Sequence, residues 1–182
     1  MLQRPLLILD IDETLIHGRE EPLERECDFS AGRFFIYLRP QVREFLASVA
    51  EQYDLACWSS ATKDYLDSIV NELMSELSCE PLFVWDRSRC TRRIDPFNGE
   101  EYFLKDLKKV RNRGVDLSRV IILEDEPRKV HRHYGNALYV KPYEGDIEDE
   151  ELPGLARYLE FISTSPDFRK VEKRFWRDVP TF

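Results

Sequence analysis

Three short apolar runs, each ending abruptly in polar or acidic residues, constrain the fold of this chain more than any other feature. They are residues 5–9 (PLLIL), 54–58 (DLACW) and 119–123 (RVIIL), and each has the length and continuity of a strand buried on both faces. Amphipathic helical patterns at residues 40–49 and 65–77 lie between them. Strands that alternate with helices predict an α/β fold, with a central, mainly parallel sheet flanked by helices.

The length of 182 residues predicts a single domain over residues 1–182. Its core is expected at about 5–162, and residues 163–182 form a charged and aromatic tail that either packs on the core or frays. The segment 18–35 lacks periodicity and ends in FFIY, which indicates a small β insertion after the first strand. Residues 104–110 have the pattern of a short helix.

Composition limits the kinds of partner and the location. Lys plus Arg number 27 and Asp plus Glu number 35, so the net charge of −8 argues against broad nucleic-acid binding without excluding a local basic patch. No run of eighteen apolar residues is present, and the first apolar run is too short for a secretion signal. Four widely spaced cysteines indicate free thiols in a reducing compartment. We therefore expect a cytoplasmic or nuclear protein that is neither secreted nor membrane-bound.

Residues suited to phosphate chemistry follow each of the three predicted core strands. In an open α/β sheet the carboxyl ends of parallel strands meet at one edge, where sites form near a switch in strand order. Carboxylates crowded there repel one another unless a cation neutralises them. The residues expected at this edge are Asp10, Asp12 and Thr14 after the first run, Ser59 after the second, and Glu124 and Asp125 after the third, with Lys105 starting a helix between them.

This set of residue types predicts phosphoryl transfer. Mg²⁺ is the hard divalent ion that oxygen ligands favour, so the cluster of Asp10, Asp12 and Asp125 predicts Mg²⁺. Asp10 is expected to carry a covalent acyl phosphate, and Asp12 to protonate the leaving oxygen and later accept a proton from water. Lys105 is expected to add positive charge beside the transferring oxygens, to which Ser59 donates a hydrogen bond.

A resemblance to a known family rests on six stretches in family order: LDIDET, LRP with the following helix, CWSSATKDY, KDL, IILEDEP and GNALYV. LDIDET resembles the D-x-D-x-T signature of the haloacid dehalogenase (HAD) superfamily of phosphohydrolases. The ordered set resembles its FCP/SCP-like phosphatases, also called the NLI-interacting-factor or C-terminal-domain phosphatase family. The resemblance covers residues 5 to about 162 and implies a HAD-like Rossmannoid fold.

The resemblance assigns a role to each matching residue. Asp10 resembles the phosphorylated nucleophile, and Asp12 resembles the general acid and base. Ser59 matches the phosphate-binding hydroxyl, although the family usually has Thr there, and Lys105 matches the charge-stabilising lysine. The residues expected to bind substrate are Ser59, Ser60, Lys105 and Thr14.

For the metal, the resemblance implies Mg²⁺ held by Asp10, the backbone carbonyl of Asp12, and Asp125, with Glu124 beside them. The family usually has Asp where Glu124 stands. The longer Glu124 side chain is expected to shift the water network around the metal.

Chain length between the motifs indicates an open site. Many relatives in the superfamily insert a cap domain, but residues 15–38 and 105–124 leave no room for a large one. An uncapped site favours a large substrate, and the resemblance implies a phosphoserine or phosphothreonine protein. Residues 87–93 form a basic run that we interpret as a solvated loop. The alternative is that these arginines border the site and bind a second phosphate or an acidic substrate.

Three alternatives remain at this stage. The first is a phosphatase for nucleic-acid ends or small metabolites. The second is a non-catalytic module that grips a phosphorylated partner, although such a module has no need to retain Asp12. The third is a receiver domain, which places its acidic pair after the first strand and is disfavoured because D-x-D-x-T comes first here. The oligomeric state is not predicted.

Overall fold

The structure is a computed structural model that describes residues 4–179. Within that span the chain forms ten strands and four α-helices, joined by short loops and 3₁₀ turns. In chain order they are β1 (Leu6–Leu9), β2 (Ile16–Arg19), β3 (Phe29–Ala31), β4 (Phe34–Leu38), α1 (Val42–Ala50), β5 (Asp54–Trp58), α2 (Lys63–Met74), β6 (Val84–Trp85), β7 (Thr91–Ile94), β8 (Glu101–Leu104), α3 (Lys108–Arg111), β9 (Val120–Glu124), β10 (Ala137–Tyr139) and α4 (Glu151–Ile162).

Five parallel strands form the central sheet, in the spatial order β10-β9-β1-β5-β6. The three predicted apolar runs are its three middle strands. Leu9 at the end of β1 is in register with Cys57 of β5 and with Leu123 of β9. The carboxyl ends of the three strands therefore lie side by side at one edge of the sheet.

Alternate residues of the central strands pack against different helices. Leu7 and Leu9 of β1 belong to an apolar cluster that includes side chains of α1, α2 and α4. Leu6 and Ile8 belong to a second cluster, which includes Val110 of α3. Because helices cover both faces, all four residues of β1 are buried. The predicted fold class, a mainly parallel sheet flanked by helices, is confirmed.

The small β insertion after the first strand is also confirmed. Strands β2, β4 and β3 form an antiparallel sheet in that order, with Ile16 opposite Leu38 and Phe29 opposite Ile36. This three-stranded sheet stands beside the carboxyl end of β1, because β2 begins six residues after Asp10. It therefore forms one wall above the edge where the predicted site residues lie.

A β-hairpin that the sequence pattern did not indicate lies between β6 and β9. Strands β7 and β8 pair antiparallel, with Thr91 opposite Leu104. The predicted helix over residues 104–110 is therefore wrong at its start: Leu104 ends a strand, and α3 begins only at Lys108. Lys105 follows a strand and does not start a helix. The aromatic residues of β8 favour a pleated, half-buried surface, and the pairing of Leu104 with Thr91, thirteen residues earlier, overrides the local helical pattern.

Residues 87–93 do not form the loop that the sequence predicted, because they have regular secondary structure. Arg87–Arg89 form a 3₁₀ turn, and β7 begins at Thr91. The Arg92 guanidinium pairs across the hairpin with the Glu101 carboxylate, which offsets part of the local positive charge. Most of these arginine side chains remain exposed.

The C-terminal tail packs on the body of the protein as far as the structure describes it. Phe168 and Trp176 are buried, whereas Phe175 is exposed. The Trp176 indole donates a hydrogen bond to the Tyr139 carbonyl at 3.0 Å, which ties the tail to the edge strand β10.

A buried arginine ties the loop after β1 to the N-terminus of α4. The Arg39 guanidinium is fully buried and donates to both carboxylate oxygens of Asp149, at 2.7 and 2.8 Å, and to the Thr14 carbonyl at 2.9 Å. Burial raises the pKa of Asp149, but hydrogen bonds from Arg39 and from the Glu151 backbone outweigh it, so the pKa is lowered.

We expect Asp149→Asn to lower the free energy of unfolding at pH 7 by about 3 kcal/mol, because it leaves a buried guanidinium without its counter-charge. A lowered folded-state pKa means that this contribution is present above the unfolded pKa and disappears as pH falls through the folded pKa. Urea unfolding at neutral pH and near pH 3 measures both values. The gap between wild type and variant should shrink at the lower pH, while exposed Glu144→Gln changes little at either. An equal gap at both pH values would contradict the assignment.

Candidate active site

The loops that follow β1, β5, β8 and β9 converge at one edge of the central sheet. Asp10, Ser59, Lys105 and Glu124 are all buried there, and Asp12 and Asp125 are partly exposed beside them. The structure thus brings the predicted catalytic and metal-binding residues into one cluster. Each of the four loops follows the carboxyl end of a strand at this edge. For Lys105 that strand is β8, which belongs to the hairpin that the sequence did not predict.

The turn after β1 aims two carboxylates at the same cleft. β1 ends at Leu9, and the chain turns tightly at once, with the Leu15 amide donating to the Ile11 carbonyl at 2.9 Å. Glu13 in this turn has φ of 59°, a left-handed conformation that is uncommon for a residue other than glycine. In a continuing strand, Asp10 and Asp12 would lie on the same side because they are two residues apart. Here the strand ends at Leu9, and the tight turn brings both carboxylates to the same side instead.

A buried group of opposite charges surrounds Lys105. Its ammonium lies 2.5 Å from Oδ1 of Asp10 and 2.7 Å from Oε2 of Glu124, and all three side chains are almost completely buried. The Lys129 ammonium lies 3.4 Å from Glu124 and 3.5 Å from Asp125. The second oxygen of Asp10 accepts a hydrogen bond from the Thr14 hydroxyl at 3.2 Å. The two lysines therefore offset the negative charge of the three carboxylates.

The charges in this group decide the ionisation of each member. Burial raises the pKa of Asp10, but the charges of Lys105 and Lys129 outweigh it and lower the pKa to about 2. Burial would lower the pKa of Lys105, yet Asp10 and Glu124 hold it above its usual value. Burial and the charge of Asp10 raise the pKa of Glu124 well above its usual range. Asp10 is therefore ionised at neutral pH, with the Lys105 ammonium in contact.

Asp12 lies outside this charged group and has a different environment. Its Oδ1 accepts a hydrogen bond from the Tyr65 hydroxyl at 2.8 Å, and its Oδ2 accepts one from the Ser59 hydroxyl at 3.1 Å. Burial raises the pKa of Asp12, and the nearby charge of Asp10 raises it further. The two aspartates of the D-x-D motif thus have pKa values pushed in opposite directions, which is the pattern that separates two carboxyl groups with different chemical roles.

Two residues of the site were missed from the sequence. The sequence pattern places Tyr65 only on the apolar stripe of α2. Its position could have indicated a role in the site, because its polar hydroxyl lies in the first turn of that helix, six residues after Ser59. Lys129 was not singled out, although it follows Asp125 by four residues in the same loop. Both residues were overlooked because apolar spacing and family motifs do not show which polar side chains point toward the site.

Ser59 and Ser60 differ in their positions. The Ser59 hydroxyl is buried and accepts a hydrogen bond from the Ala61 amide at 2.9 Å while donating to Asp12. Ser60 is partly exposed, and its backbone carbonyl accepts a hydrogen bond from the Arg87 guanidinium at 2.6 Å. Ser59 therefore faces Asp12, whereas Ser60 lines the open cleft beside it.

An open cleft of about 610 Å³ lies beside Asp12. Tyr65 and Phe34 supply aromatic walls, with ring centroids 5.2 Å apart, and Arg33 and Arg87 line the same cleft. Gly18 is required by this packing, because a Cβ at that position would lie 2.4 Å from the Tyr65 hydroxyl oxygen. The β insertion and α2 therefore shape the approach to Asp12 together.

The acidic residues at the centre fit a divalent cation. One carboxylate oxygen from each of Asp10, Glu124 and Asp125 lies within 4.8 Å of the others. Oδ1 of Asp125 is buried and accepts no hydrogen bond from residues 4–179, and the Lys129 ammonium lies 3.5 Å from it. A buried anionic oxygen without a donor is costly, and a hard cation with oxygen ligands satisfies it. The Asp12 side chain is outside this group, because Tyr65 and Ser59 occupy its oxygens.

Comparison with known proteins identifies the family. The sequence profile of the NLI interacting factor-like phosphatases matches residues 5–169. The chain belongs to this family. The family indicated by the sequence motifs is thereby confirmed, and the match extends a few residues into the tail.

Individual relatives of this NLI interacting factor-like phosphatase are distant in sequence. CTD nuclear envelope phosphatase 1 of Xenopus tropicalis is 28% identical over 188 residues, which cover 95% of this chain and 73% of that protein. The CTD small phosphatase-like protein of Homo sapiens is 27% identical, over 88% of this chain and 57% of the relative. Nuclear envelope morphology protein 1 of Saccharomyces cerevisiae is 29% identical, over 91% and 40%. These relatives support a HAD-type phosphatase.

Solved structures share the fold of this family member. Fcp1, an essential RNA polymerase II CTD phosphatase, matches with a TM-score of 0.66 at 18% identity, over 88% of this chain and 62% of that one. Fission yeast Fcp1 bound to beryllium fluoride matches with a TM-score of 0.59 at 20% identity, over 92% and 54%. The chain thus spans less than two thirds of either structure. Among residues 4–179, no helix is both long and apolar enough to cross a bilayer.

Proposed function

We propose that this protein is a Mg²⁺-dependent phosphomonoester hydrolase that works through an aspartyl-phosphate on Asp10 and acts on phosphoserine or phosphothreonine proteins. The observation that carries the proposal is the contrast between the two aspartates. Asp10 is buried, ionised and in contact with Lys105, whereas Asp12 has a raised pKa and hydrogen bonds to Tyr65 and Ser59.

In the first step an Asp10 carboxylate oxygen attacks the phosphorus, and the bond from phosphorus to the leaving oxygen breaks. Asp12 donates its proton to that leaving oxygen, which departs as the alcohol of the substrate. Lys105 already contacts the Asp10 carboxylate, so its charge stabilises the phosphoryl oxygens as they approach. The Ser59 hydroxyl, which donates to Asp12 in this structure, would turn to donate to the same oxygens when the substrate binds.

In the second step the aspartyl-phosphate is hydrolysed. Asp12, now a carboxylate, accepts a proton from water while the water oxygen attacks the phosphorus. The bond between phosphorus and the Asp10 oxygen breaks, which releases inorganic phosphate and restores the carboxylate. The Tyr65 hydroxyl holds the Asp12 carboxyl group in one orientation through both proton transfers.

Asp10, Glu124 and Asp125 are the side chains that would hold Mg²⁺, and the family resemblance adds the Asp12 backbone carbonyl. When bound, the ion screens the negative charges of the Asp10 carboxylate and the substrate phosphate from each other. Glu124 also contacts Lys105, so the longer side chain at this position links the metal-binding group to the catalytic lysine.

The proposed substrate class rests on the openness of the site. Between β1 and α1 the chain inserts only the small sheet of β2, β3 and β4, and the cleft beside Asp12 is open to solvent. A phosphorylated side chain on a polypeptide can reach it, and the relatives named as CTD phosphatases support a protein substrate. Arg33 and Arg87 lie where they can contact acidic groups near the phosphorylated residue.

We propose the cytoplasm or the nucleus as the place of action. Residues Cys27, Cys57, Cys79 and Cys90 are free thiols, as a reducing compartment favours. Two of the relatives described above carry the nuclear envelope in their names.

The proposal is tested by phosphate release from p-nitrophenyl phosphate and from a panel of phosphopeptides, nucleotides and sugar phosphates. We expect turnover with Mg²⁺, a fall to background in EDTA, and recovery when Mg²⁺ is restored in excess. Equal rates with and without the chelator, after dialysis, would contradict the metal dependence. Phosphopeptide binding without turnover would favour the non-catalytic module, and a preference for nucleotides or sugar phosphates would overturn the proposed substrate class.

Tyr65→Phe is expected to lower kcat for a phosphoserine peptide by about tenfold, part of the roughly 10²–10⁴-fold that general acid–base catalysis contributes. The variant removes only the hydroxyl that holds Asp12. Hydrolysis of p-nitrophenyl phosphate should fall less in its first step, because p-nitrophenolate leaves without being protonated. Burst kinetics on both substrates measure this difference, with Tyr102→Phe, at a partly exposed position of β8, as the control. Equal losses on both substrates would contradict a role in proton donation.

A further inference from the structure

A strongly basic surface lies on the flank of this acidic protein, away from the cleft beside Asp12. Two adjoining clefts form it, of about 500 and 340 Å³, and both are lined by Tyr134, Gly135 and Arg169. We call it the basic surface. Its exposed cationic side chains are Lys108, Arg111, Arg132, Arg169, Lys170 and Arg174.

Half of the six cations of the basic surface have a carboxylate partner, since Arg132 pairs with Asp106, Lys170 with Asp167 and Arg174 with Glu172, and the other three are unpaired among residues 4–179. The one carboxylate that lines either cleft is Glu172, which pairs with Arg174. No carboxylate among residues 4–179 lies within 4.0 Å of the charged groups of Lys108, Arg111 or Arg169. In a chain with a net charge of −8, this concentration of cations creates a local positive potential that attracts anions.

The fold holds this surface in shape. Phe168 is buried under the Arg119 guanidinium, which lies 4.7 Å from the centre of its ring. The Tyr158 hydroxyl donates to the Glu172 carbonyl at 2.6 Å. The Lys173 ammonium is buried and donates to the carbonyls of Phe168 and Val171. The tail that carries three of the cations is therefore attached to the body by buried contacts.

The basic surface begins beside the catalytic lysine. Asp106, the residue after Lys105, binds the His133 ring at 2.9 Å and lies 3.8 Å from the Arg132 guanidinium. From there the two clefts extend past the edge strand β10. A polypeptide whose phosphorylated residue enters the catalytic site is long enough to lay a more distant segment along this flank.

An acidic border limits the size of the occupant. The Tyr139 carbonyl, at the end of the larger cleft, accepts hydrogen bonds from Trp176 and Arg177. Both residues also line a neighbouring cleft, where five carboxylates within residues 146–151 outnumber three cations. A long, uniformly charged polymer that crosses the basic surface meets these carboxylates and is repelled. A short segment fits within the basic surface and can pack on the exposed Tyr134 ring.

We propose that the basic surface is a docking site for an acidic polypeptide segment, rich in Asp, Glu or phosphorylated residues, within the protein substrate. This proposal rests on the proposed function in one respect, because it takes the protein that carries the acidic segment to be the substrate of the phosphatase. The charge complementarity and the short reach of the clefts carry the choice of a peptide over a nucleic acid or a membrane.

The test measures binding separately from catalysis. A fluorescein-labelled peptide of alternating Glu and Ser, with no phosphate, is titrated against the wild-type protein and the double variant Arg111→Glu/Arg169→Glu by fluorescence anisotropy. The matched control is Lys63→Glu/Arg93→Glu, which reverses two exposed charges that line neither the basic surface nor its acidic border. We expect the Kd of the double variant to rise about tenfold, the control to stay within about twofold, and wild-type affinity to weaken with added salt.

The other arms separate the possible failures. Single-stranded DNA and vesicles containing phosphatidylserine are titrated in parallel, and tighter binding of either by the wild type would overturn the peptide assignment. Equal peptide affinity in the double variant and wild type would overturn the docking site. Hydrolysis of p-nitrophenyl phosphate should be the same in the wild type, the double variant and the control. An absence of hydrolysis in all three contradicts the proposed function and leaves the binding result to decide the docking site.

Discussion

Replacing Asp10 by asparagine is expected to lower kcat for phosphomonoester hydrolysis by a factor of about 10⁴ or more. The amide keeps the shape of the side chain but cannot attack phosphorus, and it removes the carboxylate that Lys105 keeps ionised. Phosphate release under saturating Mg²⁺ measures the effect. A second readout is covalent: acid quenching of the wild type with radiolabelled substrate should leave label on the protein, and Asp10→Asn should leave none.

Asp12→Asn provides the comparison for this experiment. It removes the proton donor and acceptor but leaves the nucleophile, so hydrolysis slows while p-nitrophenyl phosphate still labels the protein. Thermal unfolding of both variants establishes that they fold. Turnover that survives Asp10→Asn in a folded protein would overturn the assignment of the nucleophile.

Replacing Lys105 by methionine is expected to lower the free energy of unfolding by about 3–5 kcal/mol in EDTA at neutral pH. The ammonium is fully buried between Asp10 and Glu124, and its loss leaves two buried carboxylates with only Lys129 nearby. Methionine has a similar length and shape, so the cost is mainly electrostatic. Urea unfolding of the wild type and the variant measures it.

Two controls define this result. Lys108→Met, at an exposed position three residues further on, should change stability by less than about 0.5 kcal/mol. The pair Lys105→Met/Glu124→Gln should recover part of the loss, because one of the two stranded charges is removed. An unfolding free energy of Lys105→Met equal to that of the wild type would show that the buried charges do not depend on this lysine.

The order of elements and the position of the site follow from patterns that are local in the chain. Each apolar run of about five residues ends in a polar residue, and this pattern alone predicts buried parallel strands and a polar edge. The segment before FFIY lacks helical periodicity, and it forms the predicted β insertion. These predictions succeeded because burial on both faces of a sheet requires continuous apolar sequence, which is visible without knowing the partner strands.

The errors occurred where the partner in space decided the outcome. Residues 104–110 have a helical pattern, but Leu104 pairs with Thr91 across a hairpin, so the strand wins and α3 is a single turn. Tyr65 has the spacing of a core residue, yet its hydroxyl reaches Asp12 from another element. Nothing in the sequence distinguished Lys129 from other charged loop residues, and only the fold shows that it lies beside Glu124.

By itself, the sequence determined the fold class, the family and the set of chemical groups at one edge of the sheet, because these depend on apolar periodicity and on motifs read in order. Only the tertiary structure decided how those groups divide. It buries Asp10 against Lys105 and lowers its pKa, and it places Asp12 on Tyr65 and Ser59 with a raised pKa. Two aspartates separated by one residue acquire different chemistry because burial and neighbouring charges, which set a pKa, come from strands and helices distant in the chain.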